Sequence, residues 1–220
     1  MKAVFFDLDG TLLDTLPDIR NAMNYALKAY DGESAGVDEV RRYVGRGLRR
    51  ALSQAAAEKN PKGLDEDEFE LMFALMVSYY EKHPVVETVA YEGIPELLSA
   101  LKAKGIKLGV VSNKADRLVQ IIIDKLLPDY FSFVSGERAG IPLKPNPQLL
   151  LEGLKEVGVT RDECIYVGDS EVDAQTGEKA GVETLIVSYG FRSEAELMAS
   201  GVEISANSVE ELSEKLSSLL

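Results

Sequence analysis

Cysteine and histidine are nearly missing: the 220-residue chain has one of each, Cys164 and His83. One cysteine excludes a disulfide framework within the chain. In the apolar run Cys164-Ile165-Tyr166-Val167 it reads as a small core residue. One histidine leaves little for a Ser-His-Asp or Cys-His mechanism, or for zinc sites of the His and Cys type. His83, just before Pro84, is expected at a helix end, where an imidazole meets the terminal carbonyls. Positive charge is also scarce, with 24 Lys and Arg against 37 Asp and Glu and a formal net charge of -13. A nucleic-acid binder needs a basic stripe. The longest basic cluster, Arg41-Arg42 through Arg46 to Arg49-Arg50, has no aromatic beyond Tyr43. An acidic surface with one basic island suits a small anionic ligand instead. No apolar run approaches a membrane span. The passage from Met1-Lys2 straight into a strand lacks the pattern of a secretory leader. The expectation is a cytoplasmic monomer or homodimer with neither nucleic acid nor membrane as partner.

Hydrophobic residues make up 45% of the chain, enough for one large domain or one domain carrying a smaller one. From 16 to 83 the apolar spacing is helical, over 16–30, 37–43, 48–59 and 66–83, with Gly32, Gly36, Gly45, Gly47, Pro61 and Gly63 as breaks. From Tyr91 onward helices and strands alternate. Helices are expected over 94–104, 115–127, 147–157, 172–180 and from 208 to the end. Strands are expected over 107–112, 131–135, 164–168 and 183–187. Runs such as Leu108-Gly109-Val110-Val111 are apolar throughout, as strands buried on both faces of a parallel sheet must be. The fold class is therefore α/β: a doubly wound, mostly parallel, Rossmann-like sheet interrupted by a helical insert. The boundaries are 1–14 plus 85–220 for the α/β core and 15–84 for a four-helix domain.

The first strand, Ala3-Val4-Phe5-Phe6, runs into Asp7-Leu8-Asp9-Gly10-Thr11. If the chain stays extended, Asp7 and Asp9 point the same way. Two like charges so close call for a cation or a shared proton. That implies a metal site, an acid/base pair, or both. In doubly wound sheets ligands bind beyond the carboxyl ends of the strands. Ser112-Asn113-Lys114, Lys144-Pro145 and Gly168-Asp169-Ser170-Glu171-Val172-Asp173 all follow strands in this way. Several acids around one point favour a hard divalent cation, most often Mg2+. A lysine and a hydroxyl beside backbone N–H groups make a phosphate cradle. A carboxylate against a phosphoryl group can form an aspartyl-phosphate, and a second can protonate the leaving group.

These four segments, in this order, resemble the motifs of the haloacid dehalogenase-like superfamily: Asp7-Leu8-Asp9-Gly10-Thr11, then Ser112, then Lys144, then Gly168-Asp169-Ser170-Glu171-Val172-Asp173. The resemblance covers essentially the whole chain and makes the helical insert the superfamily's cap. It implies Asp7 as nucleophile and metal ligand, and Asp9 as general acid/base with its backbone carbonyl on the metal. Asp169 is implied as the remaining protein ligand, with Asp173 a supporting carboxylate. Ser112, Asn113 and Lys144 become the phosphate-binding set, and Thr11 supports the strand-end loop at the substrate's edge. An acid at Asp9 points to phosphoryl rather than halide chemistry, since an alkoxide needs a proton to leave. The mutase branch is disfavoured because Ile19 stands where its cap histidine is expected. For the phosphonate-cleaving branch, nothing credits Lys28 as its cap lysine. Tyr43-Val44-Gly45-Arg46-Gly47 and Ser188-Tyr189-Gly190-Phe191-Arg192-Ser193 are similar to segments of phosphoglycolate phosphatase-like members, with Arg46 as a bidentate donor to substrate. The resemblance thus implies a Mg2+-dependent phosphatase of a small phosphorylated metabolite, with 2-phosphoglycolate one candidate. Pyrophosphatase and sugar-phosphate phosphatase or mutase are the alternatives within the superfamily. A phospho-Asp receiver and a catalytically idle binding protein are the alternatives outside it.

Overall fold

The computed structural model describes residues 1–60 and 62–220; Pro61, one of the expected helix breaks, lies outside them. In chain order the elements are β1 (Ala3–Phe6), β2 (Leu13–Asp14), α1 (Leu16–Ala29), α2 (Val37–Tyr43), α3 (Leu48–Lys59), α4 (Glu66–Lys82) and β3 (Val89–Ala90). There follow α5 (Ile94–Ala103), β4 (Lys107–Ala115), α6 (Asp116–Leu126), β5 (Phe133–Glu137), α7 (Gln148–Val157) and β6 (Cys164–Gly168). The chain ends with α8 (Glu171–Ala180), β7 (Glu183–Ile186), α9 (Glu194–Ala199) and α10 (Val209–Leu219). They form two compact units, Met1–Asp14 with Ala90–Leu220, and Thr15–Val89.

The larger unit is built on a parallel five-stranded sheet of order β5-β4-β1-β6-β7. β1 takes the centre because all four of its side chains are apolar or small and all are buried. Phe6 sits opposite Val110 on one side and Val167 on the other. Later strands are added outward from β1 in both directions, so the winding reverses there. Such a reversal opens a crevice at the strand ends, where ligands bind in open α/β sheets. The Phe5 and Phe133 rings, 5.9 Å apart, anchor a core with Leu150, Leu154 and Tyr166.

The smaller unit is helical. α1 buries Ile19, Ala22, Met23, Ala26 and Leu27, the stripe that a 3.6-residue period places on one face. α4 opens on a reciprocal cap in which Asp65 accepts from the Glu68 N–H at 2.8 Å and Glu68 accepts from the Asp65 N–H at 3.0 Å. It closes at His83, whose Nδ1–H donates to the Tyr79 carbonyl at 3.0 Å, the helix-end role expected of it.

Three local readings change. Residues 85–89, assigned from sequence to the α/β core, fall in the smaller unit. Asp18 draws them there, accepting from the N–H groups of Val86, Glu87 and Thr88 and from the Thr88 hydroxyl at 2.7 to 3.2 Å. β4 does not stop at Ser112 but continues to Ala115. The unanticipated α9 starts at Ser193, whose reciprocal cap with Glu196 was visible as a Ser-x-x-Glu pattern.

Candidate active site

The carboxyl ends of β1, β4 and β6 converge on one group of buried charges. β1 stops at Phe6, and the Asp7 N–H still donates to the Val167 carbonyl at 2.8 Å, fixing Asp7 at the sheet's edge. The chain then turns: the Leu8 carbonyl accepts from the N–H groups of Leu12 and Leu13 at 3.1 Å each, and Gly10 takes a φ of +88°. The extended continuation that would align Asp7 with Asp9 is therefore not formed. The two carboxylates have different lysines. Asp7 Oδ1 lies 2.8 Å from Lys144 Nζ, while Asp9 Oδ1 accepts from Lys114 Nζ at 2.6 Å.

Lys144 is buried and donates to Asp173 Oδ1 at 2.8 Å and to the Tyr166 hydroxyl at 3.0 Å, while Asp7 Oδ1 stands opposite as its ion-pair partner without a hydrogen bond of its own. Its backbone is held as well. Asn113 Oδ1 accepts from the Lys144 N–H at 2.7 Å, and Asn113 Nδ2 donates to the Lys144 carbonyl at 3.0 Å. The Asn113 amide thus carries the lysine's loop, a different task from the substrate contact expected of that side chain. Asp173, fully buried, accepts from Lys144 and from the Tyr166 hydroxyl (2.7 Å) on one oxygen, and from the Ser170 hydroxyl (2.5 Å) on the other.

Asp169 is clamped by close approaches. Its Oδ2 accepts from the Phe191 N–H at 2.7 Å, and its Oδ1 lies 3.4 Å from the Thr11 hydroxyl. A Cβ on Gly10 would stand 2.3 Å from Asp169 Oδ2, and one on Gly190 would stand 2.6 Å from the same oxygen and 2.2 Å from the Gly10 carbonyl. Only glycine fits at either position. Thr11 is wholly buried, and its carbonyl accepts from the Tyr189 hydroxyl at 3.0 Å. Its contacts thus tie the strand-end loop to Asp169 and to Tyr189. Ser112 is buried at the strand end, its hydroxyl accepting from the Lys114 N–H at 3.2 Å. Arg46 lies in the smaller unit, between Gly45 and Gly47, both at positive φ.

The electrostatics fit a divalent cation. Oxygens of Asp7, Asp169 and Asp173 all lie within 4.8 Å of one another. Burial pushes the Asp7 carboxyl up to about 7, the Lys144 ammonium opposing and Asp173 reinforcing the shift. Asp169 is driven well above the usual carboxylate range by burial and by the charges of Asp173 and Asp7. Asp173 goes the other way: burial raises it, but the Lys144 charge and the hydrogen bonds from Lys144, Ser170 and Tyr166 hold it low. Lys144, which burial alone would lower, is raised by Asp173 and Asp7. Asp7 and Asp169 are thus aimed at one point with more negative charge than the protein neutralises there. Hard oxygen donors of this kind suit Mg2+.

Two contributors escape the sequence reading, Tyr166 and the Phe191 N–H, and Lys114 enters it only as a strand-end residue without a role. Tyr166 carried a signal, since a hydroxyl in a strand buried on both faces must find a partner. Lys114 carried less, because a lysine beside a turn is ordinarily solvated.

The family model for haloacid dehalogenase-like hydrolases matches residues 4–187. A phosphoglycolate phosphatase of Aquifex aeolicus is 36% identical over 192 residues, 87% of this chain and 86% of the relative. Phosphoglycolate phosphatase 1 of Pseudomonas aeruginosa is 33% identical over 193 residues, 86% of this chain and 70% of the relative. A crystal structure of a proposed phosphoglycolate phosphatase from Lactobacillus delbrueckii subsp. bulgaricus superposes with a TM-score of 0.90 at 33% identity, covering 98% of both chains. A match over this much of the chain, on a sheet whose strand ends gather these acids and lysines, makes the protein a phosphatase belonging to the haloacid dehalogenase-like hydrolases.

Proposed function

We propose that the protein is a Mg2+-dependent phosphomonoesterase acting through an aspartyl-phosphate on Asp7, with 2-phosphoglycolate as its substrate. The observation that carries the reading is the buried Asp7–Lys144–Asp173 chain beside Asp169 at the switch point of the sheet. The names of the relatives support the choice of substrate.

An Asp7 oxygen attacks phosphorus, and the bond from phosphorus to the ester oxygen breaks. Asp9 gives its proton to that oxygen, so the leaving group departs as an alcohol. Asp9 then takes a proton from water as the water oxygen attacks phosphorus. The acyl-phosphate bond breaks, phosphate is released and the Asp7 carboxylate is restored. Lys144 and Ser112 bind the phosphoryl oxygens. Asp7, Asp169 and the Asp9 carbonyl would hold Mg2+, which would supply positive charge to offset charge on the transferring group. Asp173 already accepts on both oxygens from Lys144, Tyr166 and Ser170, which suits it to holding Lys144 in place rather than to ligation. Arg46 is assigned the substrate's second anionic group, so Arg46→Ala should raise KM for 2-phosphoglycolate more than it lowers kcat.

The test is phosphate release with Mg2+ from a panel containing 2-phosphoglycolate, pyrophosphate, hexose phosphates and an aryl phosphate. The highest kcat/KM is expected for 2-phosphoglycolate. A higher value for pyrophosphate or a hexose phosphate would replace the substrate and keep the chemistry. A single turnover that leaves a lasting phosphoryl group on the chain would point to a receiver instead.

A further inference from the structure

The mechanism above uses Asp9 and leaves its partner without a task. Lys114 Nζ donates to Asp9 Oδ1 at 2.6 Å, and its side chain is entirely shielded from solvent, whereas that of Asp9 is 20% exposed. A lysine buried to this degree is rare unless it is paired. The backbone around Lys114 is fixed on both sides. Its N–H donates to Ser112 Oγ, and its carbonyl packs so tightly on β5 that a Cβ on Gly136 would stand 2.3 Å from it. β4 runs on through Lys114 to Ala115, with its register against β5 shifting between Val111 and Ala115, so the lysine sits on a bulged stretch of the strand that is paired on either side. The pair joins residues 105 positions apart.

We propose that Lys114 is a positioning residue that acts through Asp9: by anchoring Oδ1 it sets the orientation of the whole carboxyl group toward the departing ester oxygen. The inference rests on the reading of Asp9 as the group that protonates the leaving oxygen. A carboxyl that must meet one oxygen at hydrogen-bond distance gains from a fixed rotamer, and errors of about 1 Å in such a group cost rate heavily. The ammonium, on a backbone fixed by Ser112 and by the close approach of Gly136, supplies that rotamer without touching substrate.

Leaving-group dependence separates this role from a merely structural one. Two substrates are used with Mg2+: the best alkyl phosphate of the panel above, whose alkoxide needs a proton, and p-nitrophenyl phosphate, whose phenolate leaves without one. For Lys114→Met, the single-turnover rate of leaving-group release, which precedes the water step shared by both esters, is expected to fall about a hundredfold on the alkyl ester with KM little changed, and less than about threefold on the aryl ester. Lys114→Arg, which keeps a cation on Oδ1, should recover at least about tenfold of the loss. Asp9→Asn should show the same substrate pattern. Adding Lys114→Met to Asp9→Asn should cost nothing more, because two residues acting as a unit are not additive. That double variant also removes both members of the buried pair, so it guards against misfolding of the single one. Equal losses on both esters, or a further loss in the double variant, would overturn the role given to Lys114. An Asp9→Asn variant that slows leaving-group release from both esters equally would instead remove Asp9 as the acid, and this inference with it.

Discussion

The ion pairs at the strand ends of the larger unit contrast with the surface pairs of the smaller one. In the larger one, the charged groups at the strand ends are buried and paired over long sequence distances: Lys144 with Asp7 and Asp173, and Lys114 with Asp9. In the smaller one, pairs such as Arg41–Asp38, Arg49–Glu70 and Lys62–Asp31 stand largely in solvent. Exposed pairs contribute little to stability, because water screens them and holding two long side chains costs entropy. Buried charges are costly to desolvate and survive only in tight, fully bonded geometry. The larger unit accepts that cost at one place, where the sheet opens, and such fixed charge can act on a substrate without reorganising.

The sharpest test of the contrast is Asp7→Asn, which should reduce phosphate release about a thousandfold or more while circular dichroism stays native. Asp38→Asn, on the exposed side of the comparison, should leave turnover unchanged. Next is Lys144→Met, which strips two buried carboxylates of their cation. It is expected to cost about 3–5 kcal/mol in urea unfolding at neutral pH. Lys62→Met should cost less than about 0.5 kcal/mol in the same assay. Similar losses in both variants would erase the distinction between the units.

The pH dependence of stability follows from Asp7. Its folded carboxyl is pushed by burial from 3.8 to about 7, so the folded state holds that proton more tightly than the unfolded chain. The stability this supplies is complete below about pH 4 and is lost as pH climbs through 7. Mg2+ favours the ionised carboxyl, so millimolar Mg2+ should raise the melting temperature at pH 7 and do little at pH 4. Equal stabilisation at both would break the link between Asp7 and the cation. Smallest among the buried sites is Asp18→Ala, expected to cost about 1–3 kcal/mol through the freed N–H groups. Faster amide exchange at Val86, Glu87 and Thr88 would report it.

Much of this was legible in the chain. The run from Cys164 to Gly168 is apolar enough to demand a strand buried on both faces, and that strand, β6, lies between β1 and β7 and pairs with both. Asp7, Lys144, Asp169 and Asp173 could be placed at one edge because strand ends in a parallel sheet share it. Side-chain direction could not be read. Whether Asp9 follows Asp7 depends on a turn made by Leu8 and Gly10, and which lysine each takes depends on contacts more than a hundred residues away. Asn113 illustrates the same limit: its type fits phosphate as well as it fits the Lys144 backbone, and only the loop's position decides.

The Asp18 contact bears on how the chain finds its fold. It bridges 68 to 70 residues, joining the first turn of α1 to the segment that leads back into the larger unit. β1 and β4 must pair across that whole stretch, and loop closure becomes costlier as the intervening chain lengthens. Once the helical insert has formed and Asp18 has closed its base, the insert no longer counts as free chain. The remaining path from β1 to β4 is then short. Neighbouring strands that are distant in sequence become near neighbours along the folding route, in the sense that governs how fast non-local contacts form.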